Sequence, residues 1–289
     1  DSLALMAIAA RAFGSRLVVL TVDHGLRPEA AAECAHVTML ARGLGLETNV
    51  LRAVLLPGEG PQARARTARY RALGAWCADA GVPVLMTAHH ADDQAETFLM
   101  RAARGSGVKG LSGIRSVVDL FGVRVVRPLL GMPRATLAEI VAAREWQPVD
   151  DPSNRDARFD RTAARKLLGD TGWLDAGRLA DSAAHLAAAE AALDWAVEAA
   201  WRSRVVAGDG DLRLDCEGLP AELQRRIIGR ALAALGAGEP EGAGLDRLHT
   251  RLLAGAGGTL AGVTARAVAA DHWTFSIAQP RRLRSARPG

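Results

Sequence analysis

Hydrophobic positions follow two regimes along the chain, and the change falls near residue 170. Before it, short continuous apolar runs alternate with runs of helical period. Leu3, Leu5, Met6, Ile8 and Ala9 make a nearly all-apolar helix behind Asp1 and Ser2, either of which can cap it. Residues 16–21 (RLVVLT) read as a strand buried on both faces, the parallel-sheet type. Pro28 and Glu29 open a helix carrying Val37, Leu40 and Leu44, which Gly43 and Gly45 end. Residues 47–51 are a short strand and 57–61 (PGEGP) a loop. Residues 62–80 are helical, with Tyr70, Leu73, Trp76 and Cys77 on one side. A strand ending at Met86 and a polar turn lead into a helix through Phe98, Leu99 and Ala102. Two short strands flank Asp119 to Gly122, and an amphipathic helix spans 134–146. After residue 170 the pattern is mostly helical: an alanine-rich run at 176–200, then 222–235 and 245–253, then a hairpin of 259–268 and 273–277. The prediction is an α/β domain with a parallel sheet at 1–170, and a mostly helical domain ending in a β-hairpin at 171–289. An α/β domain that opens on a helix also calls for a strand ahead of Asp1.

The densest chemistry lies in residues 85–107, LMTAHHADDQAETFLMRAARGSG. His89, His90, Asp92 and Asp93 fall where a strand gives way to a helix. Ligands of parallel sheets sit outside the carboxyl ends of the strands. Asp92 or Asp93 can act as an ordinary helix cap, with Glu96 as company for the helix dipole. Two histidines and two carboxylates crowded together cost stability and need a use. Zinc is a poor fit, since adjacent histidines do not share a helix face and no third ligand has the spacing. Oxygen donors suit Mg²⁺ better.

Charge adds a partner class. Among 36 basic residues, Lys109 and Lys166 are the only lysines, so nearly all positive charge is guanidinium, which matches phosphate geometry. With a net charge of +4, a polyanionic partner fits. Arg64, Arg66, Arg69 and Arg71 do not share one helix face, and they read either as a solvated surface or as phosphate contacts. Arg155, Arg158, Arg161, Arg165 and Lys166 follow the turn-forming DDPSN at 150–154 and read as a solvated charge run or a phosphate-binding loop and helix start. At 49% hydrophobic and 24% charged, the chain is not of the disordered class. Cys34, Cys77 and Cys216 are isolated, so a disulfide scaffold and a Cys-ligated iron–sulfur site are both excluded. With no signal peptide and no apolar run of membrane length, a cytoplasmic location is expected. Neither GxxxxGK nor GxGxxG occurs, so a nucleotide would need another anion cradle.

The ordered motifs resemble those of the tRNA(Ile)-lysidine synthetase family of PP-loop ATP pyrophosphatases. That family's phosphate loop reads SGGxDS, and Asp1-Ser2 is similar to its last two letters. The resemblance continues through LTVDHGLR (20–27), ARxxRYxxL (65–73), TAHHADDQAET (87–97), RGSG (104–107), GLxG (110–113), RPLL (127–130) and DPSNxDxxFxR (151–161). It is weaker in LQRR (223–226) and GGTLAG (257–262). The resemblance implies a Rossmann-like sheet of the adenine nucleotide alpha hydrolase type. It also implies ATP-dependent adenylation of a wobble cytidine in a CAU anticodon, followed by attack of free L-lysine. It implies catalytic roles for Asp1, His89, Asp93 and Arg104, and Mg²⁺ held by Asp1 and Asp93. ATP would lie against Asp1, Ser2, Asp23, His24, Gly25, Arg27, Arg104, Gly105 and Gly107. The tRNA would meet Arg155, Arg158, Arg161, Arg165 and Lys166. Two alternatives stay open: another PP-loop enzyme, whose thiolase members carry CxxC pairs absent here, and a catalytically silent tRNA-binding protein. A homodimer is also left open.

Overall fold

The computed structural model describes residues 1–23, 29–55, 61–148, 160–238 and 242–278. The chain divides into two compact units, 1–188 and 189–289. In the first, strands and helices alternate. Helix α1 (Ser2–Phe13) precedes β1 (Val18–Asp23), α2 (Ala30–Gly43) and β2 (Glu47–Arg52), and β1 and β2 pair in parallel with Val18 opposite Glu47. Helix α3 (Pro61–Asp79) leads to β3 (Val84–Met86), α4 (Ala91–Ala103) and the single turn α5 (Val108–Leu111). Then come β4 (Val117–Leu120), β5 (Val123–Val126), α6 (Arg134–Ala142), α7 (Asp160–Asp170) and α8 (Ala176–Arg204). Strand β5 runs parallel to β3 and antiparallel to β4.

This is the alternation of strands and helices the periodicity predicts, and the Rossmann-like type the resemblance implies, with one correction. Strands β1 and β3, expected in one sheet, lie in two: β1–β2 and β3–β5–β4. The single-sheet expectation counted on one more strand, ahead of Asp1, to link them by hydrogen bonds. Side chains still bring the two sheets to one cluster. Leu20 of β1 and Leu85 of β3 both pack against the cluster formed by Tyr70, Cys77, Val123 and Val125. A second cluster joins Leu3 and Met6 of α1 to Leu137 and Val141 of α6.

The second unit contains the rest of α8, then β6 (Val205–Ala207), β7 (Asp211–Asp215), α9 (Ala221–Ala234), α10 (Gly242–Leu253), β8 (Gly258–Leu260), β9 (Val263–Ala269) and β10 (His272–Ile277). Helices supply the larger part of its regular structure. The predicted terminal hairpin of 259–268 and 273–277 contains one strand more. A turn at Ala261 (φ +48°) and Gly262 (φ +81°) splits 259–268 into β8 and β9, and β9 pairs with β10 inside a five-stranded antiparallel sheet ordered β6–β7–β10–β9–β8. Strands β6 and β7 escape the sequence reading because each is short. Their signal was present: Val205 and Val206, then Gly208-Asp209-Gly210, then the alternation of Leu212 and Leu214. Ile227, Ile228 and Leu232 of α9 pack with Leu248 and Leu252 of α10 under Trp273 and Phe275. The division between units falls within α8, whereas the helical period changes character near residue 170. Cys34, Cys77 and Cys216 are buried and free. No helix among the described residues is long and apolar enough to cross a membrane.

Candidate active site

The site is built where β3 runs into α4. Past the end of β3, the Thr87 N–H still donates to the Val126 carbonyl (3.0 Å), so the chain leaves the sheet in a defined direction. His90 is extended (φ −132°) and is the N-cap residue of α4. Its backbone N–H donates to Asp93 Oδ2 (3.1 Å), the reach-back of an acidic third residue that satisfies a helix start. Asp92 Oδ2 accepts the Arg134 N–H (2.9 Å) at the start of α6, and the Ala91 N–H donates to the Met132 carbonyl (3.0 Å). Two bonds thus anchor the first turn of α4 to the segment entering α6.

The His90 imidazole is buried, its side chain 3% exposed, and three carboxylates surround it. Nε2 lies 3.4 Å from Asp1 Oδ2 and 3.5 Å from Asp93 Oδ2, and Nδ1 lies 3.5 Å from Asp92 Oδ2. Asp1 is the N-cap residue of α1, but its side chain makes no capping bond. Its carboxylate is turned to His90. Two acids from two helices therefore converge on one ring nitrogen. Among the described residues no three His, Cys, Asp or Glu side chains form a closed metal site. Mg²⁺ takes only one or two protein carboxylates and completes its shell with phosphate oxygens and water. The paired Asp1 and Asp93 oxygens fit that demand.

His89 points elsewhere. Its Nδ1 is 3.0 Å from Thr87 Oγ1. Burial pulls its pKa down from 6.5 to about 4. The Asp93 charge opposes the shift, and the Arg127, Arg66 and Arg69 guanidiniums add to it. The ring is neutral at pH 7. The sequence reading placed both histidines at this strand end and gave only His89 a catalytic role; His90 is the one held among three acids. The helix start with Asp at its second and third positions was the available signal for His90.

The rest of the predicted set is dispersed. Ser2 is the first residue of α1 and is exposed. Asp23 ends β1, where its carbonyl accepts the Ala53 N–H (2.9 Å). Arg104 and the glycines after it are not brought to the acidic group. They lie at the far end of the 13-residue α4, roughly 18 Å along the helix. Arg104 pairs there with Asp160 of α7, both side chains being more than 60% exposed. Gly105 (φ +69°) ends α4 while the Ser106 N–H donates to the Arg101 carbonyl (3.0 Å), and Gly107 is the N-cap residue of α5. Arg161 and Arg165 both reach the Glu96 carboxylate, whose side chain is 2% exposed, at 3.2 and 2.8 Å. They hold α7 on α4, a partner the sequence reading did not foresee. Lys166 is exposed. His24, Gly25, Arg27, Arg155 and Arg158 lie outside the described residues.

A cavity of about 260 Å³ opens beside the acidic group, lined by Asp92, Glu96, Arg134, Arg165, Leu168 and Leu174. Carboxylates and guanidiniums share its wall, an arrangement complementary to a zwitterion.

Residues 1–171 match the family model of the PP-loop domain, and the alternation of strands and helices accords with that class. The solved U34-tRNA thiolase NcsA from Methanococcus maripaludis shares the fold. It is 16% identical, with a TM-score of 0.53, over 64% of this chain and 67% of that one. The tRNA(Ile)-lysidine synthase of Novosphingobium aromaticivorans is 43% identical over 285 residues, covering 98% of this chain and 87% of its own. That of Zymomonas mobilis is 39% identical over 288 residues, with the same coverage of each. The chain belongs to the tRNA(Ile)-lysidine synthase family.

Proposed function

We propose that this protein is an ATP-dependent carbon–nitrogen ligase that converts the wobble cytidine of a CAU-anticodon isoleucine tRNA to lysidine. The observation that carries the reading is the convergence of Asp1 and Asp93 on His90 beside a cavity of mixed charge, in a chain of this family. In the reaction the cytidine C2 oxygen attacks the α-phosphorus of ATP and pyrophosphate leaves. The lysine amine then attacks C2, loses its proton, and displaces AMP as the C2–O bond breaks.

PP-loop chemistry is ATP- and Mg²⁺-dependent, and the metal, when bound, would supply shielding of phosphate charge. Asp1 and Asp93 would hold it. His90 keeps their carboxylates in place. Neutral His89 offers a hydrogen bond beside them without adding charge. The cavity beside Asp92 would take free lysine, its α-ammonium toward Asp92 and its carboxylate toward Arg134, which leaves the side-chain amine free to attack. Asp23 at the end of β1 would border the adenosine. Exposed Lys166 and the half-exposed guanidiniums near it would meet tRNA phosphates. Buried free cysteines suit a reducing cytoplasm.

The test is mass spectrometry of tRNA(Ile) transcripts incubated with ATP and isotopically labelled lysine. Label at the wobble position is expected. Labelled lysine that never enters the RNA, with ATP and Mg²⁺ in excess, would sink the proposal and leave a tRNA-binding protein.

A further inference from the structure

Helix α3 carries arginines that the reaction above leaves without a task. The Arg66 and Arg69 guanidiniums lie over the Tyr70 ring, 5.0 and 5.3 Å from its centroid. Stacking of this kind holds a guanidinium in place without neutralising it. Arg127, from the segment after β5, is 5% exposed, and its Nη1 donates to the Arg115 carbonyl (2.6 Å). Its Nε is buried without a hydrogen-bond partner, and its guanidinium lies against the Tyr70 hydroxyl. Among the described residues no carboxylate pairs with Arg66, Arg69 or Arg127. Three cations are thus gathered with no paired carboxylate among the described residues, and the buried Arg127 Nε is left unsatisfied. Buried polar groups left in that state call for a ligand.

We infer that Arg66, Arg69 and Arg127, grouped about Tyr70, form a binding site for a phosphate-class oxyanion. Three guanidinium forks exceed what one carboxylate neutralises, and they match the several oxygens of a phosphate. The electrical surroundings agree. Burial and the neighbouring Arg69, Arg127 and Arg161 hold the Arg66 pKa down, against the pull of Tyr70. Burial pushes the Tyr70 phenol up, but Arg66, Arg69 and Arg127 outweigh it and bring its pKa below the ordinary value. The same three arginines act on His89, so the cluster borders the acidic group around His90. Two phosphates share the required chemistry: pyrophosphate released from ATP and a phosphodiester of bound RNA. The first source rests on the reaction proposed above; the site itself does not.

Calorimetric titration of the full chain with inorganic pyrophosphate, without lysine or tRNA, tests it. The Arg66→Gln/Arg69→Gln double variant should bind at least about tenfold more weakly, and Arg127→Lys, which keeps charge but loses the fork, about threefold more weakly. Thermal unfolding should stay unchanged in the double variant and fall by only a few degrees in Arg127→Lys, which loses the bond to the Arg115 carbonyl. If the double variant misfolds, single Arg66→Gln, on an exposed residue, should still show about a threefold loss. A short oligoribonucleotide without terminal phosphates separates the sources. Displacement of pyrophosphate by it assigns the site to RNA phosphodiesters, and failure to displace assigns it to the leaving group. Wild-type affinity for both probes in folded variants overturns the inference, as does a wild-type chain that binds neither. A chain that binds pyrophosphate through these arginines yet never ligates lysine would end the proposed reaction and leave this site standing.

Discussion

His89 and His90 are sequence neighbours in different fields. His90 sits among Asp1, Asp92 and Asp93, while His89 feels Asp93 and three guanidiniums together. The depressed pKa of His89 carries a pH signature. Its folded value, about 4, is below the ordinary 6.5, so between these the unfolded chain takes up a proton that the folded one refuses. The stability it contributes is full above pH 6.5 and is lost as pH falls toward 4, on the order of 2–3 kcal/mol. His89→Gln should flatten that loss, read as urea midpoints at pH 7 and pH 5. Asp93 has two jobs, capping α4 and facing His90. Asparagine keeps an acceptor for the His90 N–H but removes the charge. Asp93→Asn should therefore keep its melting temperature within a few degrees and lose ATP–pyrophosphate exchange by at least about tenfold. Exchange at the wild-type rate would show that its charge serves only the fold.

Helix α4 frames the site as an element. Its first turn holds the acids, its middle holds the buried Glu96 against α7, and its inner face fixes the GLSG turn at 110–113. Gln94 accepts the Ile114 N–H (2.5 Å) and donates to the Ile114 carbonyl (2.9 Å), while Arg101 Nη1 donates to the Gly110 and Gly113 carbonyls (2.6 and 2.9 Å). The matching motifs QAET, RGSG and GLSG are thus partly structural here. Helix α3 depends on one close approach. A Cβ on Gly74 would meet the Phe121 carbonyl oxygen at 2.4 Å, and Phe121 is itself held at φ +48° in the β4–β5 turn. Backbone cannot swing aside as a side chain does, so Gly74→Ala should cost about 1–3 kcal/mol in chemical denaturation. A neutral result would mean that the hairpin yields.

At the scale of the whole molecule, each unit has its own core, and the described candidate residues all belong to the first. Trp273, fully buried in the second, packs edge-on to His249 with ring centroids 5.9 Å apart. Trp273→Ala should destabilise that unit by about 3–5 kcal/mol, seen by calorimetry. ATP–pyrophosphate exchange should persist, while preference for isoleucine over methionine tRNAs in filter binding should fall. Equal loss of both would refute a separate recognition role for the second unit. Element types were legible in the sequence, because period and capping act within one or two turns: 16–21 and 84–86 read as strands, and 176–200 as a helix. So was the concentration of His89, His90, Asp92 and Asp93 at a strand end. The tertiary structure alone decided that His90 is the histidine enclosed by three acids. It alone turned Arg161 and Arg165 to Glu96 and left Arg104 a helix length from Asp93. Those outcomes depend on where distant segments pass and which way each Cβ points, and local periodicity contains neither.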